Sequence, residues 1–151
     1  MSTASDDSQP DAVPEGFALS KSRGPFTTHN GPTYRASTRG DMRSGLLVLD
    51  RHCNSMGFLH GGMASAFADG ALAWAVWNET RRMSVTLKLT LTYLNIVKAG
   101  EWLEARPTVD AVNDELVHLH ADLVTRHGKA ARAEAVFRLL RRGPGTASAA
   151  R

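Results

Sequence analysis

The chain has 151 residues, 42% of them hydrophobic and 22% charged, with a formal net charge of +3. That length allows one domain with a core of its own, and the composition is that of an ordinary globular protein, not a disordered or fibrous one. The mild basic excess suits a polyanion, but the densest cationic groups, Arg81-Arg82 and Arg138/Arg141/Arg142, have no interleaved aromatic platform, so no nucleic-acid partner is expected.

The opening, Met1 to Glu15, is polar and carries Asp6, Asp7 and Asp11 without an apolar or basic signal region. A flexible tail over 1–15 and no secretory signal are expected. The single Cys53 excludes an intrachain disulfide, and both features favour a reducing, cytoplasmic setting. Thr33–Ser37 and Leu46–Asp50 are short strand candidates bounded by Gly31-Pro32, Gly40 and Gly45. From Gly61 to about Glu79 there is no proline, and Met63, Phe67, Ala71 and Trp74 recur at spacings of four and three, which predicts one long helix. Asp69 and Gly70 interrupt its apolar run, so it is too short and too polar to span a membrane.

In Val85–Leu94 the residues Leu87, Leu89, Leu91 and Tyr93 alternate with Thr86, Lys88, Thr90 and Thr92, the period of a strand with one buried face. Trp102–Ala111 reads as a weaker strand in which Pro107 requires an edge or a bulge. Leu116–Arg126 alternates again, and His127-Gly128 predicts a hairpin turn into Ala130–Leu140. That last stretch is Ala-rich, yet the alternation of Ala131, Ala133, Ala135, Phe137 and Leu139 favours strand over helix. A second flexible tail is expected over 143–151, leaving 16–142 as one domain. The expected class is α+β, with a curved antiparallel sheet wrapped around one long central helix.

Asn54 to Gly62 leads into the helix, and Asp69 follows His60 by nine residues. Two glycines at a helix start expose unsatisfied N–H groups that suit a developing oxyanion, although a Gly-Gly pair there also fits a simple turn. A carboxylate in an apolar helix makes Asp69 a functional candidate, although a solvated or structural Asp is the plainer alternative.

The pattern N-x-x-G-x-x-H-G-G with an Asp nine residues after the His, here Asn54, Gly57, His60, Gly61, Gly62 and Asp69, resembles the hotdog thioesterases of the phenylacetate-pathway (PaaI-like) type. Phe67-Ala68-Asp69, Val85-Thr86, Thr92-Tyr93-Leu94, Gly100 to Leu103 and Gly31 to Tyr34 extend the similarity over about Gly24 to Arg142. The resemblance implies the hotdog fold and hydrolysis of an acyl-CoA thioester, with an aryl or medium-chain acyl group, to free acid and CoA. It also implies site roles. The Gly61 N–H would polarise the thioester carbonyl, His60 would shape that loop, and Gly62 would contact substrate. Asp69 would serve as general base or nucleophile, Asn54 would position water or carbonyl, and Thr86 would help hold the water. No cofactor is implied, since CoA is part of the substrate.

Two other functions stay open: a hotdog hydratase or dehydratase, whose differently spaced motifs are not found, and a non-catalytic acyl-CoA-binding protein. His118 and His120, two apart on a strand, have no evident third ligand, and no metal site is assigned. Cys53 beside His52 is taken as a small structural thiol. Trp74 and Trp77 are read as core or interface groups. Gly61 and Asp69 would lie about 12 Å apart along one helix, with directions about 80° apart. One chain therefore cannot bring both to one thioester. A homodimer with an active site shared between protomers is expected, with further pairing into a homotetramer left open.

Overall fold

The computed structural model describes residues 11–21 and 24–141. Its elements, in order, are β1 (Phe17–Leu19), α1 (Pro25–Asn30), β2 (Tyr34–Ala36), β3 (Ser44–Leu47), a 3-10 turn (Asp50–His52), α2 (Gly61–Thr80), β4 (Ser84–Tyr93), β5 (Trp102–Asn113), β6 (Leu116–Thr125) and β7 (Gly128–Leu139). All seven strands join one antiparallel sheet in the order β1-β2-β3-β5-β6-β7-β4, curved around α2.

The helix buries Ala64, Phe67, Ala68, Ala71, Leu72, Ala75 and Val76. These recur at alternating steps of three and one, so they form one continuous stripe on a 3.6-residue helix. The sheet answers with Val117, Leu119, Ala121 and Leu123 from β6 and Ala133, Ala135 and Phe137 from β7, all buried. Alanines on both surfaces let helix and sheet approach closely, and this contact is the centre of the core. Met63 and Trp74, expected on the same stripe, fall on a second apolar stripe that faces a cavity instead. Two such stripes explain why α2 is apolar nearly all round. Among the described residues no helix is long and apolar enough to cross a membrane.

Several expectations shift on contact with the fold. The sequence reading has no counterpart for β1 and α1. Pro25 opens α1 at a position where a missing N–H costs nothing. Pro107 lies beyond the end of β3, which pairs with β5 only over Trp102 to Ala105, so β5 there has a neighbour on one side only. The hairpin turn before β7 is Arg126-His127, with Thr125 opposite Gly128, one residue earlier than expected. Of the expected N-terminal tail, residues 1–10 lie outside the described residues. Asp11 is already tied in: its N–H donates to Gly100 O at 2.7 Å, and its Oδ2 accepts from the Trp102 N–H at 2.7 Å. The expected tail at 143–151 also lies outside the described residues.

The largest correction concerns β4. Its register steps from Thr86 opposite Phe137 to Lys88 opposite Val136, so Leu87 is an extra residue, a β-bulge. Directly opposed residues of an antiparallel pair share a face. Thr86 therefore lies on the helix side with buried Phe137, while Leu89, Leu91 and Tyr93 return to that side after the bulge. Strict alternation would have put Thr86 outside. Nor is the expected face fully buried within one chain: Leu87 is 55% exposed and Tyr93 54%.

Candidate active site

The loop before α2 is built by its own polar side chains. Asn54 Oδ1 accepts from the N–H groups of Met56 at 2.9 Å and Phe58 at 3.2 Å, closing the turn around Gly57, whose φ is 79°. Asn54, expected to position water or carbonyl, thus spends its side-chain oxygen on shaping the loop, and it does not line the cavity. His52, missed by the sequence reading, is 2% exposed. Its Nδ1 accepts from the Leu49 N–H at 3.1 Å, and its Nε2 lies 2.7 Å from Asn30 O, so the neutral ring carries its hydrogen on Nε2. Burial pushes this imidazole below its usual value, aided by the nearby Arg51 charge. His52 thereby ties α1 to the loop, and its own carbonyl accepts from the His60 N–H at 2.9 Å. Burial also raises the Cys53 thiol, which argues against a thiolate nucleophile.

His60 caps α2, its Nδ1 accepting from the Gly62 N–H at 2.9 Å. Gly62 therefore has its donor engaged. The Gly61 N–H, one position earlier, has no acceptor among the described residues. With the Met63 N–H, which likewise has no acceptor among the described residues, it is a donor that the helix start leaves for a ligand. Tyr93, to which no role had been given, donates from Oη to Gly61 O at 2.7 Å and lies 3.0 Å from Ser65 Oγ. Its inward phase on β4 and a phenol needing a partner are the signals that would have found it.

Two turns along α2, Asp69 accepts from Thr86 Oγ1 at 2.6 Å on Oδ1. The bulge at Leu87 makes this bond possible. Asp69 lines a cavity of about 890 Å³ between α2 and the β1–α1–β2 segment, walled mainly by apolar groups such as Leu19, Phe26, Met63, Phe67, Trp74 and Trp77. It is the one carboxylate in that wall among the described residues. Trp74 and Trp77 are cavity walls, not simple core. His118 and His120 lie on the opposite face of the sheet from α2, with His120 Nδ1 2.8 Å from Asp110 Oδ2.

The structure thus brings Asp69 and Thr86 together, and His60 with Gly61 and Gly62, while Asn54 supports the loop. A free donor at the helix start fits polarisation of a carbonyl, and a held carboxylate in a largely apolar cavity wall fits activation of water; Gly61 does not line that cavity. Sequence comparison supplies the family. Residues 56–132 match the model of the thioesterase superfamily, and a Pseudomonas aeruginosa protein named a candidate esterase is 31% identical over 84% of this chain and 97% of its own. The chain belongs to the thioesterase superfamily. A phenylacetic acid degradation protein of Thermus thermophilus, solved as an Asn-to-Asp mutant, superposes with TM-score 0.68 at 22% identity, over 78% of this chain and all of that one. A Streptococcus mutans protein solved with acetyl-CoA superposes with TM-score 0.63 at 18% identity, over 68% of this chain and 82% of that one. These two share the fold of this thioesterase-superfamily chain.

Proposed function

We propose that this chain hydrolyses an acyl-CoA thioester, with an aryl or medium-chain acyl group, to the free acid and CoA. The observation that carries the reading is Asp69, the one carboxylate among the described residues of a largely apolar cavity wall, oriented by the Thr86 hydroxyl. The acetyl-CoA held by the Streptococcus mutans protein of the same fold supports a CoA ester as ligand. The Gly61 N–H polarises the thioester carbonyl. As general base, Asp69 takes a proton from water while the water oxygen adds to the carbonyl carbon. The resulting oxyanion collapses, the C–S bond breaks, and the proton passes to the leaving thiolate. As nucleophile, Asp69 instead displaces the thiolate to form an anhydride that water then opens. A reducing cytoplasm suits a chain with one cysteine.

We further propose that the site is shared within a homodimer. Gly61 and Asp69 stand eight residues apart on α2, about 12 Å along its axis, beyond the reach of one thioester carbonyl and its water. The long free edge of the sheet is β4, ten residues with Val85 45% and Leu87 55% exposed, whereas the other edge, β1, has three residues. An edge of that length, unpaired among the described residues and apolar at Val85 and Leu87, favours a second copy.

The test follows release of free thiol from a panel of aryl- and alkyl-CoA thioesters. Wild type should turn over, and Asp69→Asn, which keeps shape but cannot accept a proton or attack, should lose about 100- to 10,000-fold. A loss below about tenfold would remove Asp69 from the mechanism. Binding of the thioesters without thiol release would make the protein a carrier or sensor.

A further inference from the structure

Arg35 on β2 lines the same cavity as Asp69. Its guanidinium donates to Ser44 Oγ at 2.5 Å and to Gly70 O at 3.3 Å, and it sits 5.5 Å from the Trp74 ring centroid. These partners are neutral or aromatic. Among the described residues no carboxylate pairs with it. Burial pushes its proton affinity down to a value of about 10, the direction expected of a desolvated cation lacking a counter-ion. Two of its five N–H donors are engaged by Ser44 and Gly70, leaving capacity for a further acceptor.

The charge of the whole wall points the same way. Among the described residues its ionic groups are Lys21, Arg35, Arg82 and Asp69, three cations against one carboxylate that Thr86 already holds. A partly buried guanidinium without an anion is costly unless a ligand supplies the charge, and its planar fork matches a carboxylate or a phosphate, of which the carboxylate is the one an acyl group can carry into this cavity. Arg35 is joined by hydrogen bonds to β3 and to the middle of α2, so its head group is fixed before a ligand arrives.

We propose that the acyl group taken by this cavity carries a second carboxylate, so that the substrate is a dicarboxylic acid joined to CoA through one of its ends, and that Arg35 is the residue that selects it. This rests on the thioesterase reading above. The reaction is unchanged: water cleaves the C–S bond and yields the free dicarboxylate and the CoA thiol. The remote carboxylate forms charge-assisted hydrogen bonds to Arg35 while the thioester end faces Asp69. A plain alkyl chain in the same place leaves the cation unpaired.

The experiment compares succinyl-, glutaryl- and adipyl-CoA, each paired with an uncharged acyl-CoA of matching length, in wild type, Arg35→Met and Arg35→Lys. Wild type should favour the charged member of at least one pair by about tenfold or more in kcat/KM, as expected for a charge-assisted hydrogen bond. Arg35→Met should erase or reverse that preference, and Arg35→Lys should keep part of it. Affinities of Asp69→Asn for the same pairs, read by calorimetry, report the preference without turnover. Thiol release from no thioester, with the charged members still bound more tightly, would overturn the hydrolase reading and leave the carboxylate site standing. Wild-type preference for the uncharged member in every pair would overturn the inference. So would a charged-member preference that Arg35→Met leaves intact, or a loss shared equally by both members. Weaker binding of free CoA to Arg35→Met with unchanged acyl preference would assign Arg35 to the nucleotide phosphates, again against the inference. If Arg35→Met fails to fold, the wild-type ratios and Arg35→Lys decide.

Discussion

The Thr86 hydroxyl donates to Asp69 Oδ1 at 2.6 Å, and a valine in its place keeps the shape of the side chain while deleting that donor. Thr86→Val should fold and lower kcat by about tenfold, the scale of a hydrogen bond to a charged group, and Thr86→Ser should restore most of it. Equal rates for Thr86→Val and wild type in steady-state kinetics would show that Asp69 is oriented by other groups. His52 yields a prediction about stability. Its folded ring resists protonation, whereas in the unfolded chain it takes up a proton near pH 6.5. The unfolded state therefore binds more protons below that pH. Stability is full above about pH 6.5 and falls as pH drops from there through the lower folded value, by at most about 1.4 kcal/mol per pH unit. Denaturant midpoints measured from pH 5 to 7.5 should show this slope in wild type. They should show a flatter one in His52→Gln, which keeps a donor and an acceptor but does not titrate. Parallel curves for the two proteins would place the titration elsewhere.

Among the elements, β3 is held by an unusual contact: the Trp102 ring of β5 lies against the face of Gly45, where a Cβ would stand inside the ring. Phe17 of β1 meets the same ring edge-on at 5.1 Å and Tyr34 of β2 at 5.6 Å, so one indole ties four strands together. Gly45→Ala should destabilise the fold by about 1–3 kcal/mol, the usual cost of overpacking, and shift the denaturation midpoint followed by tryptophan fluorescence. An unchanged midpoint would mean that the indole moves aside freely. This cluster was not legible in the sequence, where Gly45 reads as a strand boundary and Phe17–Leu19 is too short to show a period. The helix α2 and the strand β7 were legible, because an unbroken proline-free run and five alternating inward residues depend only on local pattern. The phase of Thr86 was not, because a bulge is a property of the pairing between β4 and β7. Arg35 and Tyr93 escaped for a related reason: the helix carbonyls they bond, Gly70 O and Gly61 O, lie 35 and 32 residues away in the chain. The site motif around His60 was readable through its spacing, whereas the loop-building part of Asn54 depends on two backbone N–H groups that only the folded turn presents.

At the scale of the whole molecule, one α2 carries both the free Gly61 N–H and Asp69, yet cannot bring them to the same carbonyl. If both serve one thioester, as proposed, a second protomer supplies one of them, and subunit exchange tests this directly. Gly61→Pro is a suitable donor-deleting variant. Gly61 is the first residue of α2, where proline is tolerated, and His60 before it has φ −64° and ψ 133°, the extended conformation that a residue preceding proline prefers. Some displacement of Tyr93 is needed, since an added Cβ would approach Tyr93 Oη to 3.1 Å. Alone, Gly61→Pro should lose roughly 3–4 kcal/mol of transition-state stabilisation, and Asp69→Ala should be inactive through loss of its carboxylate. Mixed and allowed to exchange, the two should pair at random, with about half of the dimers mixed. Each mixed dimer then holds one site with an intact Gly61 from one chain and an intact Asp69 from the other, and one site lacking both. Activity should rise to about a quarter of wild type. If instead each chain builds its own site, every site in the mixture lacks one group and no activity returns. Exchange verified by mass spectrometry without recovery, or full activity in a proven monomer, would rule out the shared site.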